Sequence, residues 1–220
     1  MSTPRREFLE RLAAGAALTV GLGGLDPDAV QAQTAQNTTW DTRWPDRIKG
    51  SHRAVFDASE LEGGAGVLRA IIWRMQYMAT LGIDGSDLTA VAVIRHSAIP
   101  LAMSQAFWDR YQLGKKLKLK DASTQKVSNV NPILLPDDRL PPTWKGLNLD
   151  GLFATGGLAL ACDLALGSLI SIVAKEDKLE RPEARARVVE SIYPGVILQP
   201  SGVFAVIRAQ EAGCQYIRSA

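Results

Sequence analysis

Cysteine and histidine are scarce in this chain of 220 residues, with two of each: Cys162 and Cys214, His52 and His96. Two isolated histidines and no Cys-x-x-Cys pair leave no ligand set of the structural or catalytic zinc type, so no metal is expected. Charge is equally uninformative, because 25 Lys and Arg stand against 23 Asp and Glu. Nucleic-acid binding requires clustered basic residues with interleaved aromatics, and aromatics are only 6% of the chain. The one basic cluster, Lys115, Lys116, Lys118 and Lys120, alternates with Leu117 and Leu119 and reads as a solvated edge. No nucleic-acid partner is expected. The glycine-rich turn Gly63-Gly64-Ala65-Gly66 fits neither G-x-G-x-x-G nor G-x-x-x-x-G-K-[ST], so no cofactor is expected either. What remains is an ordinary globular composition, 46% hydrophobic and 22% charged, with enough length for one sizeable core.

The amino terminus carries an address. Arg5-Arg6-Glu7-Phe8-Leu9 precedes an alanine- and glycine-rich apolar run from Leu12 to Leu25, and a small-residue cleavage pattern follows at Val30-Gln31-Ala32. The run is shorter than the about 20 residues that span a bilayer. The segment 1–32 resembles a twin-arginine export signal, which implies that Arg5 and Arg6 engage the twin-arginine translocase, that the protein is periplasmic, and that it crosses the membrane folded. A bacterial source follows, and the sequon Asn37-Thr38-Thr39 then has no meaning. Residues 33–51, a mainly polar stretch with Trp40, Trp44 and Pro45, read as an extended arm whose aromatics pin it to the domain or to a neighbouring subunit.

From residue 52 to residue 220 the pattern alternates strand and helix. His52 to Ala58 reads as a first strand. Val67 to Leu81 has the apolar spacing of an amphipathic helix, with Met75 and Met78 expected in the core and Gly82 as its stop. Leu88 to Ile94 is a continuous apolar run suited to a strand covered on both faces. Pro100 is expected to open a second helix through about Gln112. Residues 123 to 146, broken by Asn131-Pro132, Pro136 and Pro141-Pro142, read as a long connection of the lid, binding-loop or subunit-contact kind. A short helix near Leu147 to Thr155 follows, then a strand ending at Cys162, a helix from about Leu164 to Ala174, and a shorter one ending near Ile192. Val196 to Gln199 is a fourth strand, Ser201 caps a helix over Gly202 to Ala212, and Cys214 to Arg218 is a fifth strand. The whole is a single α/β domain, a mostly parallel five-stranded sheet with helices on both faces, flavodoxin- or Rossmann-like.

Ligands of such sheets bind beyond the carboxyl ends of the strands. That rule gathers Asp57, Ser59, His96, Ser97, Cys162, Asp163, Pro200 and Ser201 on one rim. Cys162 is the good nucleophile among them, expected just before a helix start whose dipole favours a thiolate, while the carboxylate of Asp163 opposes it. The other reading is a strand-end cysteine that packs as a small hydrophobe. A disulfide to Cys214 is not expected, because strands of about five residues place the two ends ~15 Å apart and a disulfide needs Cα atoms within about 7 Å. With a 2-1-3 strand order, His96 and Cys162 would lie two strands apart, about 10 Å, beyond the roughly 3 Å of direct proton transfer. The readings left for His96 are contact with a ligand in the same cleft or with a neighbouring subunit's thiol, and a strand-end histidine hydrogen-bonded to a loop.

Gly157-Leu158-Ala159-Leu160 leading into Cys162, Pro194-Gly195-Val196, Pro200-Ser201-Gly202-Val203 and Gln210-Glu211-Ala212-Gly213-Cys214-Gln215-Tyr216-Ile217 together resemble the DsrE/DsrF-like family. Val93-Ile94-Arg95-His96 matches a family strand ending in His-Gly, and Asn131 matches a short Asn-containing segment. The resemblance implies a DsrE-like domain assembled as a homo-oligomer, a trimer or a hexamer. In the sulfur-handling members it also implies a cysteine, here Cys162, that carries sulfur as a persulfide, with a donor or acceptor protein as partner. His96, Asp57, Ser97, Asp163, Ser201 and Asn131 are then the ligand-binding candidates. The alternative is a non-catalytic oligomeric module that binds a small ligand or a partner through the same cleft.

Overall fold

The computed structural model describes residues 40–121, 124–140 and 142–219. The export segment 1–32, the sequon at Asn37 and residues 33–39 of the arm lie outside the described residues.

Strands β1 (His52–Ala58), β2 (Leu88–Ile94), β3 (Leu158–Cys162), β4 (Ile197–Gln199) and β5 (Gln215–Arg218) form one sheet in the order β4-β3-β2-β1-β5. Every pairing is parallel. The fold is therefore α/β with an all-parallel sheet, and the burial of all seven residues of β2 suits a central strand covered on both faces. The order corrects the 2-1-3 expectation. β2 lies between β1 and β3, so the ends of β2 and β3 are neighbours rather than two strands apart.

Helices α1 (Ala65–Leu81), α2 (Gln105–Tyr111), α3 (Leu113–Lys116), α4 (Leu149–Ala154), α5 (Gly167–Asp177), α6 (Arg181–Glu190) and α7 (Gly202–Glu211) supply the crossovers. Right-handed connections stepping one way from β1 to β4 put their helices on one face, and the return from β4 to β5 puts its helix on the other. The core divides accordingly. Ile71, Leu152, Leu169 and Val173 pack with Phe56, Ala92 and Ala161 on one face. On the other, Ala205 and Ala209 of α7 pack with Val55, Val91, Val93, Leu158 and Leu160, together with Trp44 and Ile48 of the arm.

Several local expectations need correcting. Pro100 does not open an α-helix; it sits inside a 3-10 stretch, His96–Ala102, and its carbonyl accepts from Met103 N and from the Trp108 indole. The helix begins where Ser104 accepts from Phe107 N, as an N-cap does. Met75 and Met78 are exposed, at 45% and 42%, because α1 presents Val67, Ala70 and Ile71 to the sheet and turns the methionines outward. The arm is not wholly extended, since Trp44–Arg47 forms a 3-10 turn with Trp44 fully buried. Cys162 and Cys214 are both free; Cys162 ends β3, Cys214 immediately precedes β5, which starts one residue later than expected, and β2 and β1 lie between those two strands.

Candidate functional site

β3 leaves the sheet toward α5 on one face, and β4 leaves toward α7 on the other. Adjacent strands whose connections part in this way open a crevice at their carboxyl ends, the topological switch point at which open parallel sheets bind ligands. Cys162 is the last residue of β3 and pairs with Gln199, the last of β4. Cys162 therefore stands at the switch point, a buried residue with 6% exposure.

Alternation along the strands decides what faces it. Leu158 and Leu160 point toward α7, so Cys162 does as well; Asp163 points to the opposite face, where Arg185 of α6 holds it at 2.6 Å. The Asp163 carboxylate is thus committed to Arg185 rather than left free beside the sulfur. Burial raises the Asp163 pKa against the pull of Arg185.

What faces the sulfur is Arg95. The β2–β3 register pairs Ile94 with Ala161, so the next residues along the two strands are Arg95 and Cys162. Arg95 continues the row Val91, Val93 on the α7 face, with its backbone still extended. The guanidinium is held by Asp57 of β1 through Nε to Oδ1 at 2.5 Å and Nη2 to Oδ2 at 2.7 Å. Tyr216 of β5 donates its hydroxyl to Asp57 Oδ2 at 2.8 Å. Burial works against the Asp57 carboxylate, but the bonds from Arg95 and Tyr216 outweigh it and its pKa lies below the ordinary value. The same bond to Asp57 raises the Arg95 pKa.

The third guanidinium nitrogen, Nη1, contacts His96 Nε2. A guanidinium has only donors, so Nε2 is the acceptor in this contact. His96 occupies the left-handed region at φ 50°, which a side-chain-bearing residue adopts at a cost. The Arg95 stem lies against the start of α7: a Cβ on Gly202 would come within 2.5 Å of Arg95 Cδ.

The other sequence candidates are committed to local structure. Ser97 Oγ lies 3.0 Å from Ser59 O and 2.9 Å from a Glu60 carboxylate oxygen, tying the loop after β1 to the end of β2. Ser201 Oγ accepts from Phe204 N and caps α7. Asn131 is fully buried and donates its amide to Leu101 O and Met103 O while its oxygen accepts from Ile133 N, which fixes a proline-rich turn. The rim thus brings together Cys162, Asp57 and His96, and adds Arg95 and Tyr216, which sequence reasoning passed over. Arg95 stands in the quoted segment Val93-Ile94-Arg95-His96, and an arginine closing a wholly apolar strand was the available signal.

A second cleft of ≈ 290 Å³ lies at the opposite end of β1, lined by Pro45, Ile48, Arg53, Arg208 and Ala212 among others. Its cations are occupied, Arg53 by Gly50 O and Ala212 O and Arg208 by Glu211. The end of β3 carries a thiol; this cleft has none among its lining residues.

An α/β domain with a thiol at its switch point is the class that fold and site define. No family model matches the chain, and no curated protein matches it. Among solved structures it is similar to a protein of unknown function from Methanobacterium thermoautotrophicum, at 15% identity over 76% of this chain and 99% of that one, with a TM-score of 0.37.

Proposed function

We propose that this is an exported DsrE-like protein that carries sulfur on Cys162 as a persulfide. The observation that supports this best is the place of Cys162 in the switch-point crevice with Arg95 next to it in register. In the step proposed, the Cys162 thiolate attacks the terminal sulfur of a persulfide or polysulfide donor. The donor's S–S bond breaks as the new one forms, and the donor thiolate leaves with the electron pair, so no external oxidant is needed. The resemblance of residues 1–32 to a twin-arginine signal adds a periplasmic setting, with Arg5 and Arg6 addressing the translocase. The DsrE resemblance adds a homo-oligomer and a donor or acceptor protein.

Cys214 is the internal control. Burial pushes its thiol up to about 11, so at neutral pH it stays protonated and unreactive. Incubating the protein with polysulfide and measuring intact mass should show a gain of sulfur that Cys162→Ser abolishes and Cys214→Ala leaves in place. Equal gain in Cys162→Ser sinks the proposal.

A second reading is favoured by the 6% exposure of Cys162. A thiol so covered can serve as packing in a binding module that performs no chemistry. Alkylation separates the two, since packing alone leaves Cys162 as slow as Cys214.

A further inference from the structure

We infer that Arg95 makes the Cys162 site selective for negatively charged sulfur donors, with Asp57 and Tyr216 acting as positioning residues that fix the guanidinium. The inference rests on the reading of Cys162 as the reacting thiol and names the class of reagent that reaches it. Three observations carry it. Arg95 follows Ile94, the register partner of Ala161, and points to the same face as Cys162. Asp57 takes the Nε and Nη2 edge of the guanidinium, so Nη1 stays turned away from the carboxylate. Tyr216 donates to that carboxylate, which shares its charge out among three donors instead of leaving it to face the thiol. The opposing carboxylate, Asp163, is on the far face of the sheet and paired with Arg185.

Other charged groups about the rim do not reverse the sign. Glu60 is engaged with Ser97, and His96 contributes an imidazole nitrogen that accepts from Arg95. A guanidinium beside a buried thiol acts on an anion that reaches it more strongly than it would in bulk solvent. A donor whose transferable sulfur carries, or adjoins, a negative charge is therefore drawn to the thiol, and the crevice admits only a small or narrow one, given the 6% exposure of Cys162.

The test uses iodoacetate and iodoacetamide, which alkylate by the same displacement and differ in charge. Initial rates at Cys162, read by peptide mass mapping on the full chain, give a ratio of anionic to neutral labelling. The ratio should exceed that of the urea-denatured chain by roughly threefold to tenfold and fall toward it as salt rises to about 1 M. Arg95→Met keeps an unbranched stem against Gly202 and should bring the ratio to the denatured value. Arg95→Lys should retain most of it, and Tyr216→Phe should lie between. A merely structural Arg95 would change both rates together and leave the ratio alone. A wild-type ratio equal to that of the denatured chain overturns the inference even if Arg95→Met fails to fold. Failure to take up sulfur from polysulfide with the ratio still raised removes the persulfide reading and leaves the charge selectivity intact; uptake with an ordinary ratio does the reverse.

Discussion

Two neighbouring residues, Cys162 at the end of β3 and Asp163 where the chain turns out of it, have different surroundings. One joins the crevice with Arg95, and the other is buried against Arg185. Gly202 carries a similar weight on the facing helix. It opens α7 directly after the Ser201 cap and has no positive φ, so alanine would be tolerated by the backbone there. Space decides the sign. The new methyl would meet Arg95 Cδ at 2.5 Å and Cβ at 2.7 Å, and forcing a methyl into a filled position costs about 1–3 kcal/mol. Gly202→Ala should therefore lower the thermal midpoint and, by displacing the guanidinium, lower the charge selectivity of Cys162 labelling. A midpoint raised with selectivity unchanged would show that Arg95 has room to move.

At the scale of elements, Asp177 at the end of α5 takes Tyr111 Oη, Arg110 and Arg187, and so ties α2 and α6 to α5. The bond from Tyr111 leads the three in taking its pKa from 3.8 to about 2. A depressed carboxylate contributes stability that is complete above its unfolded pKa and is lost as pH falls through the folded one. Stability should therefore fall between pH about 4 and about 2 with a component that Asp177→Asn removes. Urea melts across that range check it; identical acid limbs for the variant and the parent would refute the assignment. The elements themselves were largely legible. β1 and β2 fall on the residues that their apolar runs mark, and Ser201 caps α7 as its position before Gly202 indicates. Pro100 misled because proline also suits a 3-10 turn, and only Ser104 supplies a cap oxygen at the right spacing. Met75 and Met78 misled because the stripe on α1 is wider than the strip of helix that the sheet covers. Strand order was not legible at all, since local sequence specifies a strand and not its neighbours. With it went the adjacency of β2 and β3 on which the Arg95–Cys162 juxtaposition depends.

At the scale of the whole molecule, the two faces of the sheet are covered unequally. α1, α4 and α5 pack one face, whereas on the other α7 is joined by residues of the arm. Trp44 is fully buried there and donates its indole N–H to Gln199 Oε1 at 3.0 Å, while Gln199 donates its amide to Asp41 O at 2.9 Å. Gln199 is also the register partner of Cys162, so the arm is fastened to the residue that forms one wall of the crevice. The arm thus completes the domain and borders its site. Trp44→Ala should cost about 3–5 kcal/mol, as loss of a large buried aromatic does, and leave Gln199 Oε1 without its donor. Trp44→Phe keeps most of the apolar volume and should cost less, the difference including the lost hydrogen bond of about 1 kcal/mol. Both variants should also speed neutral alkylation of Cys162 under native conditions, because loosening the arm frees Gln199, the register partner of Cys162. Urea melts and labelling rates on the same preparations check both effects. A Trp44→Ala protein with parental stability, or one destabilised with Cys162 labelled no faster, would separate the arm from the site.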